Sequence, residues 1–259
     1  MFTTPATFTR QLESVHVELP KAARIALDAL TALRTALDTA PTADDFEAPG
    51  KLTAASAADA LHELARRLTV HEKSGAAHAE LQRIAVTQFH HAIRSNADQL
   101  ITSLRKPFDE AATIVHTAGR HFPPGASHAA ILAAGPEAAS AWHELGAALA
   151  QLDTIRSLRM QIGDVARHGE QTVEWYIESA TDTKALEAAQ RAYTGVGNAF
   201  HALAAAGFTL RLNTEDEAHK VANLAVKVST ERAKADEDAA LKDHRESWAP
   251  SLAAMSSTE

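Results

Sequence analysis

The residues best able to do chemistry in this chain are its 14 histidines, which stand beside 33 carboxylates and no cysteine. A metal site on helices uses histidine pairs, or a carboxylate and a histidine, three or four residues apart, because that spacing puts both on one face. No two histidines are so spaced. Carboxylate–histidine pairs do occur, at Glu13/His16, Asp59/His62, Asp164/His168 and Asp216/His219.

These pairs are a poor match to a di-iron bundle, which needs two Glu-x-x-His motifs and two further glutamates on core helices. Only Glu13/His16 has that form. Pairs of this kind are typical of helix surfaces, where they add small local support. We therefore expect no metal and no cofactor.

His71 and His78 lie on an apolar stripe that starts at Leu61 and repeats at three- and four-residue steps as far as Phe89 and Asn96. In one interpretation the two histidines form a polar layer in a helix–helix contact, which sets register and weakens when acid charges the rings. In the other they flank a turn at residues 73–75 and face solvent.

A second pattern is basic. Residues 51–120 carry nine Lys/Arg against seven Asp/Glu, and Arg83, His90, Arg94 and Arg105 recur along one predicted helix face. Such a face could contact phosphates, or it could be the solvated side of an amphipathic helix. The whole chain has a net charge of −8, which repels polyanions. We therefore expect a solvated face and no nucleic-acid partner.

Common catalytic signatures are missing from the sequence, which has no GxSxG, HExxH or GxGxxG motif. The string Asp216–His219 spells DEAH, but neither a strand before it nor a phosphate-binding loop upstream accompanies it. A capped helix start explains the same residues. These observations favour a non-enzymatic protein over an enzyme.

We expect these residues to lie on helices. Aromatic residues make up 5% of the chain and alanine is abundant, a composition that favours helix over sheet. We predict an all-α bundle of long amphipathic helices with coiled-coil-like packing. Alternating residues at 14–19 and 208–212 form either one minor two-strand β element or two extended linkers.

Proline and glycine positions divide the chain into three predicted parts. Residues 1–50 hold an extended segment, a helix over 20–38 and a linker. Residues 51–121 form a helical hairpin or rod, whose 54–105 stretch is one helix or two. Residues 122–259 form a helical bundle: one helix begins after Gly135, one spans 182–206, and the last begins at Thr214 and ends in a charged tail.

Function is predicted only by class. The leading hypothesis is a non-enzymatic assembly or interaction protein that acts through helix–helix contacts, with self-association as the expected partnership. One alternative is a bundle that binds a small ligand or uses carboxylates and histidines for chemistry. Another is a weak nucleic-acid binder that uses the basic face. No segment has the apolar length of a membrane span, so we expect a cytoplasmic protein, free or within an intracellular assembly or virion.

Overall fold

The computed structural model describes residues 3–38, 54–169, 172–195 and 197–255. Helices make up 81% of it, and no strand is present in these ranges. The all-α class is therefore confirmed, whereas coiled-coil-like packing stays a prediction. Some helical residues have no described side chain, namely 37–38, 54–58, 60, 64, 67–68, 70–72, 74 and 242–255.

The described ranges contain nine α-helices and a single 3₁₀ turn at Val173–Trp175. The α-helices are α1 Pro5–Ser14, α2 Lys21–Asp38, α3 Ala54–Ser95, α4 Ala97–His121, α5 His128–Ala133, α6 Pro136–Ala166, α7 Thr183–Thr194, α8 Ala199–Ala205 and α9 Glu215–Met255. No helix in these ranges has a window long and apolar enough to cross a membrane.

The chain divides into two compact units, each built from two stretches. The first unit comprises Met1–Leu100 and Leu158–His168, and the second comprises Ile101–Ser157 and Gly169–Glu259. The predicted three-part division, with boundaries after residues 50 and 121, stays a prediction.

The first unit has a core of large apolar side chains from three helices. Phe8 of α1 meets Phe89 of α3 edge to face, with ring centroids 6.1 Å apart. Both rings are fully buried, as are Ile93 of α3 and Leu158 and Ile162 of α6. Burying a phenylalanine or isoleucine contributes about 1.5–3 kcal/mol each, so these contacts hold α1 and the C-terminal end of α3 in place.

The second unit is centred on Phe200 of α8. Its ring packs edge to face on Phe108 of α4 and on Tyr176, with centroids 5.9 and 5.4 Å apart. Gly119 of α4 lets α8 approach closely, since a Cβ there would lie 2.9 Å from the backbone nitrogen of Ala205. Helix α4 continues past Gly119 to His121, so this glycine serves close packing and does not end the helix.

Three helix boundaries follow the sequence signals. The helix predicted over 20–38 is α2, Lys21–Asp38, although the segment before it, which was predicted to be extended, contains the helix α1. Helix α6 begins at Pro136 directly after Gly135, whose φ is +102°. At the start of α9, Thr214 and Glu217 form the predicted capping box: the Thr214 N–H donates to Glu217 at 2.9 Å, and the Glu217 N–H donates to the Thr214 hydroxyl at 3.4 Å. Short-range chemistry sets these ends.

Two helix predictions are wrong. No turn interrupts residues 73–75, because α3 runs through Gly75, and the break within 54–105 lies at Asn96 instead. The predicted helix 182–206 is two helices, since Asn198 starts α8 by accepting the N–H groups of Phe200 and His201 on its Oδ1.

The two alternating stretches do not form strands in the described chain. Residues 17–20 are extended without strand pairing. Residues 208–213 instead bond to residues 175–178 around an isolated antiparallel bridge between Leu210 and Ile177. The backbone partner of residues 208–213 is therefore the segment next to the 3₁₀ turn, and not residues 14–19.

Candidate functional site

The apolar stripe that starts at Leu61 and continues to Asn96, which we call the α3 seam, is buried in one part and exposed in another. Near its C-terminal end Ala85, Phe89 and Ala92 are all buried. Towards the N-terminal end Gln82 is exposed, and Leu61 exposes 66% of its surface. The same repeating stripe is therefore covered at one end and open at the other.

His78 lies between these two ends and is half-buried. Its Nε2 is shielded from water, and no hydrogen-bond partner for it exists in the described part of the chain. A shielded polar atom without a partner is costly. The His71 side chain, the other predicted member of the polar layer, lies outside the described side chains.

Helix α2 packs along α3 and covers only part of it. Ala23 and Ala26 of α2 are buried, but Leu30 and Leu33, which continue that stripe, are half-buried. Ile25 faces outwards and exposes 61% of its surface. Apolar surface of the α2–α3 pair therefore stays exposed.

An apolar groove of about 590 Å³ runs between α2 and α3. It is lined on the α2 side by Ala22 and Ile25 and on the α3 side by Thr87, Gln88, His91, Ala92, Ser95 and Asn96. Leu81 and Ile84 of α3 expose 49% and 40% of their surfaces. Large exposed apolar side chains also lie on α5, α6 and α9, and grouped apolar surface marks an interaction site more often than scattered single residues do.

The predicted basic face does not present free cations to a polyanion. The exposed Arg83 pairs with Glu80 at 2.6 Å, on its own helix. Arg94 donates from Nε to the backbone oxygen of Val165 at 2.8 Å. Both guanidinium groups are thus engaged within the chain.

Arg105 and His90 complete the predicted face and are also engaged. Arg105 donates to the backbone oxygen of Leu212 at 3.0 Å and forms an ion pair with Glu217. Burial, followed by the positive charge of Arg94, holds the pKa of His90 below its usual value. Asn96 separates Arg94 on α3 from Arg105 on α4, so the four residues do not share one helix.

The carboxylate–histidine pairs are dispersed. Glu13 and His16 line a surface cleft of about 600 Å³ whose other charged groups are Glu18, Arg24 and Asp28. All of these come from one short stretch of sequence. Within the ranges that the structure describes, no group of three or more histidine, aspartate or glutamate side chains could hold a metal ion.

The other three pairs lie on helix surfaces or helix ends. Asp59 and His62 are both exposed on α3. His219 approaches Glu215, at 3.5 Å, instead of the predicted Asp216. His168 Nδ1 lies 3.1 Å from Nη1 of the buried Arg159. None of these pairs brings polar groups from distant parts of the chain into one cavity.

Sequence reasoning missed two histidines of α4 and α8. His201 is buried and donates from Nε2 to the backbone oxygen of Phe122 at 3.1 Å. His116 is bonded to the backbone nitrogen of Leu210 at 3.0 Å. Burial is the largest cause that lowers the pKa of each ring. Neither residue has a spacing signal, because both partners are remote in sequence.

No family model, no curated protein and no solved structure matches this chain.

Proposed function

We propose that this protein is a non-enzymatic assembly component that associates with copies of itself through the open N-terminal end of the α3 seam. The main support is that the α3 seam is buried at Ala85 and Phe89, whereas Leu61 of the same seam exposes 66% of its surface. A periodic stripe of this kind is the surface by which identical helices pair. Burying a leucine contributes about 1.5–3 kcal/mol.

The partner of this surface is a second copy of the chain, because a two-fold contact lets each copy present the same stripe. Gly75 and Gln82, which lie on this stripe one turn to either side of His78, are exposed. This part of the seam is therefore accessible to a second copy. The charge pattern supports no polyanion in this role, because Arg83, Arg94 and Arg105 are engaged within the chain. The expected cytoplasmic location stays a prediction.

The test is the molar mass of the protein in solution, measured by sedimentation equilibrium over a range of concentrations. We expect the parent to have a multiple of the 27.6 kDa chain mass and Leu61→Glu to shift towards the monomer. The matched control is Leu132→Glu on α5, where the leucine is 60% exposed and lies off the seam. It should associate as the parent does.

Three results would contradict the proposal. They are a parent that is monomeric at every concentration, an oligomer that Leu61→Glu leaves intact, and equal dissociation by Leu61→Glu and Leu132→Glu. Circular dichroism of both variants should be recorded to check that the helical fold is retained, so that a change in mass reports on association.

A further inference from the structure

A short backbone segment, residues 208–213, joins α8 to α9 and is held on two edges. On one edge, three backbone hydrogen bonds of 2.9–3.0 Å join it to residues 175–178. Leu210 is the bridge residue opposite Ile177, and the bonds are made by the residues on either side of it. The Leu210 N–H therefore points away from residues 175–178, as the alternation of an antiparallel pair requires.

His116 of α4 lies on this second edge. Its Nε2 is 3.0 Å from the Leu210 backbone nitrogen. A backbone N–H can only donate, so Nε2 must accept, and the ring must be neutral with its proton on Nδ1. Leu210 is only 5% exposed, and without His116 its N–H would be buried and unpaired.

The charged groups around this bond favour the neutral ring. Burial and then Arg120, one turn further along α4, hold the pKa of His116 below its usual value. The carboxylates of the adjoining elements are occupied. Glu178 approaches Arg211 at 3.7 Å, and Glu217 of α9 pairs with Arg211 at 3.4 Å.

Two more charged groups lie on the His116 side of α4. Asp109, two turns before His116, has its pKa raised by burial, and Arg105 and Arg211 partly offset this. Arg105 forms its ion pair with Glu217. Glu178 and Glu217 are thus paired with arginines. The described hydrogen bond of the His116 ring is the one to the Leu210 N–H.

We infer that His116 is a pH-sensitive latch, which holds residues 208–213 against α4 at neutral pH and releases them when the ring is protonated. An imidazolium has two N–H donors and no acceptor. Protonation therefore places a donor against the donor of Leu210, and the hydrogen bond is lost.

The latch acts at the N-terminal end of α9, the last helix in the described part of the chain. Residues 208–213 lead directly to Thr214, which caps α9, and the Leu212 oxygen is bonded to Arg105 of α4. When the bond from Leu210 to His116 is lost, the hydrogen bond from Arg105 to the Leu212 oxygen is the described one that still joins α4 to this segment. Acid should therefore loosen the start of α9 without melting α4. This inference does not depend on self-association through α3.

The tautomer of His116 tests the geometry in the unmodified protein. Long-range ¹H–¹⁵N correlation spectra distinguish a ring protonated on Nδ1 from one protonated on Nε2. We expect His116 to carry its proton on Nδ1 at about pH 7.5 and to titrate below the ordinary histidine value of about 6.5. A proton on Nε2 at that pH, or a midpoint at or above the ordinary value, would overturn the latch.

Amide hydrogen exchange at Leu210 tests the release. After correction for the intrinsic pH dependence of exchange, we expect protection in the parent to fall about tenfold between pH 7.5 and a pH about one unit below the His116 midpoint found by NMR, the effect of losing one hydrogen bond of about 1.4 kcal/mol. In His116→Gln the amide oxygen accepts at both pH values, so protection should not change with pH. The matched control is His219→Gln, whose parent side chain is 70% exposed on α9, and it should behave as the parent does.

Two results from the exchange experiment would refute the inference. One is equal corrected protection of Leu210 at both pH values in the parent. The other is a parent-like loss of protection in His116→Gln. If that variant does not fold, the tautomer and the parent's own exchange still decide the question.

Discussion

The two ends of α3 carry the same kind of residue at the same spacing, yet among the described side chains the seam is buried only towards its C-terminal end. At the C-terminal end, Phe89 meets Phe8 of α1 and is fully buried. At the N-terminal end, Leu61 is largely exposed. Helical periodicity determines which residues share a face, but the path of the remaining chain determines whether that face is covered.

The largest difference is expected when one side chain of the seam at each end of α3 is replaced with alanine. Phe89→Ala should lower the free energy of unfolding by about 3–5 kcal/mol, because it removes a buried ring and leaves a cavity. Leu61→Ala, measured where the protein is monomeric, should change it by less than about 0.5 kcal/mol. Urea unfolding followed by circular dichroism measures both, and similar losses would show that the N-terminal end is covered within the monomer.

Two arginines of α3, one bonded to a backbone oxygen and one on the exposed surface, should differ in the same way. Arg94→Ala removes the charge-assisted bond to the Val165 oxygen and should cost about 1.5–3 kcal/mol. Arg83→Ala removes only an exposed pair with Glu80 and should fall within experimental error. Thermal melts of the two variants test this contrast. A larger effect at Arg83 would mean that its face is occupied.

The covered end should also respond to acid. Burial and Arg94 lower the pKa of His90, so the unfolded chain binds more protons below the unfolded histidine value of about 6.5. The stabilisation is complete above that pH and is lost progressively as the pH falls towards the folded-state pKa. Replacing His90 with glutamine should remove this part of the pH dependence of thermal unfolding, whereas His91→Gln, on the exposed side of the same turn, should retain it.

The smallest expected effect is at Gly75, in the open part of α3. A Cβ there would meet nothing within 4 Å, so Gly75→Ala should stabilise the helix by about 0.5–1 kcal/mol through its higher helix propensity. Gly119→Ala is the contrasting substitution, because its Cβ would press on the Ala205 backbone and should destabilise. Denaturation of the monomer distinguishes them, and a destabilising Gly75→Ala would place a close neighbour beside α3.

Much of the fold could be read from local chemistry. The helix-forming composition predicted the all-α class, Gly135–Pro136 marked the start of α6, and Thr214 with Glu217 marked the start of α9. Each signal acts within one helical turn, so neighbouring residues suffice to predict it. Asn198 carries the same kind of cap, but a continuous alanine-rich pattern concealed it.

Tertiary structure alone determined what each polar residue contacts. Arg94 and Arg105 recur on a basic pattern, but their acceptors are the Val165 and Leu212 oxygens. His116 has no partner nearby in sequence and bonds to Leu210. The sequence thus determined which residues share a helix face, because that depends on the 3.6-residue turn. The fold determined which faces are covered and which histidines are bonded, because those contacts join residues about 70–110 positions apart, beyond the reach of any local pattern.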